Sequence, residues 1–185
     1  MTVALALRQL LAALAELNIP AAIGGSVASS ARGTPRFTRD IDLVAMISAD
    51  HAEALVRRLG ANWYADVDAV RDAVRRGRAF NVIFIPLSYK FDLFPATTPF
   101  HQSQIERATN VTLPLEGESV ECPVTSAEDV ILAKLVWLKM AESMSERQHH
   151  DIDGVISANP NLDLEYISRW ANELDVTKLL QKFLR

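Results

Sequence analysis

Two glycines and a serine, Gly24-Gly25-Ser26, are followed after thirteen residues by Asp40-Ile41-Asp42-Leu43. The first run suits a tight turn whose backbone N–H groups approach an anion closely. Ser26 is placed to cap a following helix, making its N-terminus attractive to phosphate. The second run suits a strand. Side chains alternate across a strand, so Asp40 and Asp42 share one face while Ile41 and Leu43 point into a core. Neighbouring carboxylates there repel and are costly to desolvate, a cost that a divalent cation relieves. A phosphate cradle beside a metal-binding acid pair is the layout that nucleotidyl transfer requires.

Arg32, Arg36 and Arg39 all lie between the glycine turn and Asp40. Residues 1–95 carry eleven Lys/Arg against nine Asp/Glu, and residues 96–185 eight against fourteen. The half with the turn is thus basic although it holds the acid pair, which suits a local polyanion site better than a broad nucleic-acid surface. An ordinary solvated loop is the alternative.

A third acid comes from Tyr89-Lys90-Phe91-Asp92-Leu93-Phe94. Lys90 and Asp92 share one strand face, Phe91 and Leu93 the other. Beside the Asp40/Asp42 strand, Asp92 completes three carboxylates able to hold two Mg²⁺ and to leave places for triphosphate oxygens. One ion would stabilise the departing pyrophosphate, the other would acidify an attacking hydroxyl, and Asp92 could accept its proton. At a sheet edge, the same residues are only a solvated face.

Lys134 sits in Val130-Ile131-Leu132-Ala133-Lys134-Leu135-Val136-Trp137-Leu138, apolar almost all round and so a buried helix. It lies on the stripe of Val130, Ile131 and Leu138 and needs an anion. That anion is a triphosphate, or a structural carboxylate such as Asp151; otherwise the side chain snorkels to solvent. Ser145 is a candidate N-cap for the next helix, on which Arg147 and Asp151 are spaced i,i+4 to pair and orient Lys134 or a nucleotide. His149, His150, Asp151 and Asp153 diverge around that helix and read as solvated polarity, not a metal cluster. Trp137 and Trp170 read as core or interface residues.

The elements that must position these groups follow from periodicity. Helices are expected over 3–17, 26–32, 50–59 and 66–76, and strands over 21–23 and 40–46. Strands over 78–85 and 89–94 form a hairpin across Pro86-Leu87-Ser88, and strands over 109–113 and 119–122 a second around Glu116-Gly117. Beyond Ser126 come helices at 126–143, 146–157, 163–173 and 175–184. The sum is an α/β class, a mixed β-sheet flanked by helices with a C-terminal helical extension. The boundary falls between residues 1–124, the α/β core, and residues 125–185, the helical extension packed on it. A chain of 185 residues can bury roughly 70% of its unfolded surface, so no staple is needed. Cys122 is the sole cysteine, which excludes an internal disulfide and fits a reducing cytoplasm. The opening TVALALRQLLAALAEL lacks a basic start and is interrupted by Arg8, Gln9 and Glu16, as in an amphipathic helix, not a signal peptide or membrane span.

With these residues assembled, the chain resembles the nucleotidyltransferase superfamily of polymerase-β-type fold. Its pattern is a Gly-Gly/Ser turn, a spacer and Asp-x-Asp. Within it the chain is most similar to the AbiEii-like bacterial nucleotidyltransferases, some of them toxins of toxin–antitoxin pairs. That group adds a Lys-x-Asp strand, a lysine in a later helix and an aspartate one helix on, places filled by Lys90/Asp92, Lys134 and Asp151. The resemblance implies a metal-dependent transferase with catalytic, metal-binding Asp40, Asp42 and Asp92 and with Mg²⁺ or Mn²⁺ as cofactor. It implies an NTP held by Gly24, Gly25, Ser26, Arg39, Lys90, Lys134, Arg147 and Asp151. The acceptor is RNA, a protein or a small hydroxylated molecule, as for antibiotic-modifying relatives, and an antitoxin protein is a further partner. A catalytically silent domain that binds a nucleotide or partner is the alternative from another class; the three intact carboxylates argue against it.

Overall fold

The computed structural model describes residues 1–140 and 146–184; the N-cap expected at Ser145 lies outside them. Helix α1 (Val3–Glu16) starts where the Thr2 hydroxyl accepts the Leu5 N–H. Its Leu7, Leu10 and Leu14 are buried at helical spacing. Strand β1 (Ala21–Ile23) leads into α2 (Gly25–Arg32), and β2 (Asp40–Ala45) returns antiparallel to β1. Next come α3 (Ala52–Leu59), a two-residue strand β3 (Trp63–Tyr64) and α4 (Val67–Arg75), which is capped by the Asp66 carboxylate. Strands β4 (Phe80–Phe84) and β5 (Tyr89–Pro95) form the expected hairpin. Helix α5 (Pro99–Glu106) separates it from the hairpin of β6 (Thr109–Leu115) and β7 (Glu118–Val124). Helices α6 (Ala127–Met140), α7 (Glu146–Ala158), α8 (Leu164–Glu173) and α9 (Thr177–Leu180) follow.

The strands form one seven-stranded mixed sheet in the order β3-β4-β5-β2-β1-β7-β6. The α/β class with C-terminal helices is therefore as the sequence indicates. Alternation divides the central strands. Ile41, Leu43, Phe91 and Leu93 are fully buried on one face, where Trp63 stacks on Phe91 and donates to Gln9 of α1. On the opposite face, Asp40, Asp42, Lys90 and Asp92 stay partly accessible. Among the described residues, no helix is long and apolar enough to cross a membrane.

Two elements were not expected, β3 and α5. Helix α5 hides its signal because only Phe100 and Gln104 are buried along it. Its start is nonetheless written in Thr98-Pro99: the Thr98 hydroxyl accepts the His101 N–H, and Pro99 occupies a first-turn position where no N–H is needed. A polar clamp fixes it. Tyr166 of α8 donates to Asp129 of α6 at 2.6 Å and shares a 2.8 Å hydrogen bond with Ser103 of α5, and the Arg107 guanidinium lies 3.9 Å above the Tyr166 ring.

The segment after α2 is pressed against α7. A Cβ placed on Gly33 would come within 2.7 Å of the Val155 backbone nitrogen and 2.8 Å of the Gly154 carbonyl carbon. Backbone cannot swing aside as a side-chain tip can. Gly33→Ala should therefore cost about 1–3 kcal/mol through overpacking, read as a fall in the denaturant midpoint at unchanged slope. A variant as stable as the parent would show that this contact yields freely.

Candidate active site

Strands β2 and β5 run parallel in a register that pairs Asp40 with Lys90 and Asp42 with Asp92. Paired residues of adjacent strands share a face, so three carboxylates and one ammonium lie on the same face of β2 and β5. The Lys90 Nζ lies 2.7 Å from Asp92 Oδ2, and that contact, with the charges of Asp40 and Asp42, raises the Lys90 pKa. Asp40 Oδ1 accepts from the Thr38 hydroxyl at 2.8 Å. Among the described residues, no three acid, histidine or cysteine side chains are gathered closely enough to hold an ion as they stand.

Asp42 is the most constrained of the three. Burial, then the charges of Asp40 and Asp92, push its carboxyl above the ordinary value, while the Ser26 N–H and the Lys134 charge pull the other way. Gly25, at φ +56°, bends directly over it, and a Cβ there would fall 1.8 Å from Asp42 Oδ2. Only glycine fits both the backbone angle and the space. Gly24 is different: it is the N-cap, with open space where a Cβ would project. Helix α2 starts one residue earlier than the sequence suggested, so Ser26 lies inside its first turn and does not cap it. Its hydroxyl instead accepts from Arg36 at 2.6 Å.

Behind the turn lies a second charge cluster. Asp151 of α7 is 4% exposed and receives Arg36 Nε at 2.8 Å, the second Arg36 nitrogen at 3.0 Å and Lys134 Nζ at 2.7 Å. Burial alone would raise its pKa, but the hydrogen bonds and charges of Arg36 and Lys134 together hold it below the usual carboxylate value. Lys134 is 4% exposed, so of the readings left open for it, the buried carboxylate partner is realised. The pairing expected between Arg147 and Asp151 is not made. Arg147 is exposed, and Asp151 is met instead by Arg36 from the segment after α2 and by Lys134 of α6. Arg39 is exposed also, and Arg36 is the arginine of its segment that reaches the glycine turn; the break at Gly33-Thr34-Pro35 delivers it there. Arg32 is spent on β7, donating to the carbonyls of Thr125 and Val124 at 2.9 Å. His149 stacks edge-on against Phe183, and His150 is exposed.

A family profile described as nucleotidyl transferase AbiEii toxin, type IV TA system, matches residues 9–175. Among solved structures, the antibiotic-resistance factor ANT(2'')-Ia is similar at 18% identity and TM-score 0.54, over 97% of this chain and 94% of that one. A second structure of it, in complex with adenylyl-2''-tobramycin, is 20% identical at TM-score 0.52, over 91% and 94%. An antigenic nucleotidyltransferase-like protein from Paracoccidioides brasiliensis is 20% identical at TM-score 0.50, over 100% and 94%. These likenesses speak to fold. No curated protein matches the sequence.

Two expectations follow from the electrostatics. Because burial and then the charges of Asp40 and Asp92 raise the Asp42 pKa in the fold, the cost of its charge is absent below the ordinary value of 3.8, grows as pH rises from there and is complete above the folded value. Asp42→Asn should thus raise the melting temperature in chelator at pH 7.5 and lose that advantage towards pH 4. A variant that melts lower at pH 7.5 would mean that Asp42 is held by hydrogen bonds that the amide cannot replace. Lys134→Ala leaves Asp151 with Arg36 alone, so its cost should fall near the low end of the about 3–5 kcal/mol typical of a broken buried pair. An unchanged denaturation midpoint would show that Arg36 suffices.

Proposed function

The chain belongs to the AbiEii nucleotidyl transferase toxin family, and from that premise we propose that it transfers the nucleoside monophosphate of an NTP to an acceptor hydroxyl in a divalent-metal-dependent reaction. The observation that carries this reading is the register setting Asp42 beside Asp92, one step from Asp40, with the Gly25-Ser26 turn lying on Asp42.

The donor set suits Mg²⁺ or Mn²⁺. All three groups are carboxylates, hard oxygen donors, and the raised pKa of Asp42 reflects burial and then the charges of Asp40 and Asp92, costs that a cation would relieve. When bound, the metal supplies Lewis acidity and neutralises triphosphate charge. The chain's own residues do the rest. We assign the β- and γ-phosphates to the Gly25-Ser26 turn, where the Ser26 N–H engages Asp42, and Arg36 and Lys134 add positive charge behind them. Asp92 takes the proton of the acceptor hydroxyl as its oxygen bonds to the α-phosphorus. The bond from that phosphorus to the bridging oxygen breaks, and pyrophosphate leaves with its electron pair. Asp151 orients Arg36 and Lys134 without meeting the substrate.

We read residues 1–124 as the catalytic core and residues 125–185 as the helical extension that supplies Lys134 and Asp151. RNA is one acceptor we propose, beside a protein or a small hydroxylated molecule, and an antitoxin is the partner that the type IV TA description of the family implies. The test supplies each α-labelled NTP with Mg²⁺ or Mn²⁺ to total RNA, cell lysate and a panel of small alcohols. Label should pass to an acceptor with the native chain and fall at least about a hundredfold with Asp92→Asn, the usual scale for losing a general base. Transfer to a small alcohol in preference to RNA would support the antibiotic-modifying type of chemistry. Absence of transfer to every acceptor, or transfer indifferent to Asp42→Asn and Asp92→Asn, would overturn the assignment.

A further inference from the structure

Lys90 lies opposite Asp40 in the parallel pairing of β2 and β5, yet its ammonium does not settle there. It leans along its own strand to the acid two residues on, and Nζ comes within 2.7 Å of Asp92 Oδ2. Among the described residues, Asp92 is the one acid within salt-bridge distance of it. The strand itself is central: Lys90 pairs with Ile83 of β4 on one side and with Asp40 of β2 on the other. Lys90 and Asp92 are therefore not the solvated face of a sheet edge.

The three acids differ in what holds them. Asp40 accepts from the Thr38 hydroxyl at 2.8 Å, and Asp42 accepts the Ser26 N–H. Those donors are neutral and leave each carboxylate its charge and its other lone pairs. Lys90 brings a full positive charge to the third acid. An ammonium and a divalent cation repel, so both cannot use Asp92 at once. Asp92 is also the group assigned above to take the acceptor's proton. As the chain stands it is committed to Lys90, and no three acids among the described residues are gathered to share an ion.

The contact is one that can be released. The Lys90 side chain is 44% exposed against 17% for Asp92, so a flexible stem can carry the ammonium to water while the carboxylate stays.

We propose that Lys90 is a resident counter-ion of the acid site: without nucleotide it occupies Asp92, holds off free divalent cations and keeps the proposed base idle. It leaves Asp92 when the metal enters with a triphosphate, whose charge offsets that of the ion and offers the ammonium another partner. Metal and nucleotide then favour each other's binding. The proposal rests on the nucleotidyltransferase reading above and adds a gate to its metal site.

Free Mn²⁺, followed by its room-temperature EPR signal with the full chain and no nucleotide, tests it. Lys90→Met keeps the stem, removes the charge and should bind Mn²⁺ about tenfold more tightly than the native protein, the scale of a unit charge removed about 5 Å from a dication in water. Lys90→Arg keeps the charge and should stay within about threefold of native. In the Asp92→Asn background nothing anchors the ammonium, so Lys90→Met should gain less than about threefold there. Mg²⁺–tripolyphosphate, followed by calorimetry, should gain nothing from Lys90→Met, because Lys90 has by then left Asp92. Should Lys90→Met not melt cooperatively in chelator, Lys90→Gln replaces it. Unchanged Mn²⁺ affinity in Lys90→Met would overturn the proposal. So would an equal gain in the Asp92→Asn background, in Lys90→Arg or for Mg²⁺–tripolyphosphate. No saturable Mn²⁺ binding by native protein or variant would instead remove the metal-dependent reading on which the proposal rests.

Discussion

One buried carboxylate joins three separate parts of this chain. Asp151 is carried by α7, Lys134 by α6 and Arg36 by the segment between α2 and β2, and all three meet within hydrogen-bonding distance. Desolvating a carboxylate is repaid only when its partners are close and well aimed, so the trio specifies one relative placement of those elements. Gly33 completes the constraint by letting the Arg36 segment approach α7 more closely than any side chain would permit. Through Arg36 the same network reaches the Ser26 hydroxyl, and so the first turn of α2. The glycine turn is thereby held from behind by a salt-bridge network and from the front by the sheet.

The front of the site works on the opposite principle. Asp40, Asp42 and Asp92 are brought together by strand register, with Lys90 paired to Asp92 and the charges of Lys134 and Arg36 acting from behind. Parallel pairing of β2 and β5 is fixed by the other face, where Ile41, Leu43, Phe91 and Leu93 are fully buried. A shift of one residue would expose all four, so burial on one face holds the charges in place on the other. The hydrophobic face supplies the stability that the acidic face consumes.

The acid face was legible because strand alternation is short-range and strict: Asp-x-Asp and Lys-x-Asp each declare a shared face within three residues. Pairing of the two strands was conditional in the sequence and needed the sheet to decide it. Arginine roles were less legible. Arg32, Arg36 and Arg39 have the same chemistry, and their fates differ only because the chain turns at Gly33-Thr34-Pro35, sending one to β7, one to Asp151 and one to solvent. The Arg147–Asp151 pairing failed for a related reason. Helical spacing describes what neighbours on one helix can reach, whereas a buried aspartate is satisfied by whatever cation tertiary packing delivers. Helix α5 escaped notice because its buried positions include a glutamine, which breaks the apolar periodicity by which helices are found.

That last omission bears on function. Residues that build a core repeat with a period, and residues that repeat can be seen in a sequence. The polar residues that line the cavity beside Asp42 are isolated and contributed by several elements: His101 and Gln104 from α5, Thr125 from the β7–α6 junction and Gln148 from α7. Nothing in their spacing links them. They are joined only by lining one cavity beside Asp42. Acids and glycines could be found because their spacing is short and regular, whereas polar residues gathered from several elements leave no such pattern in the chain.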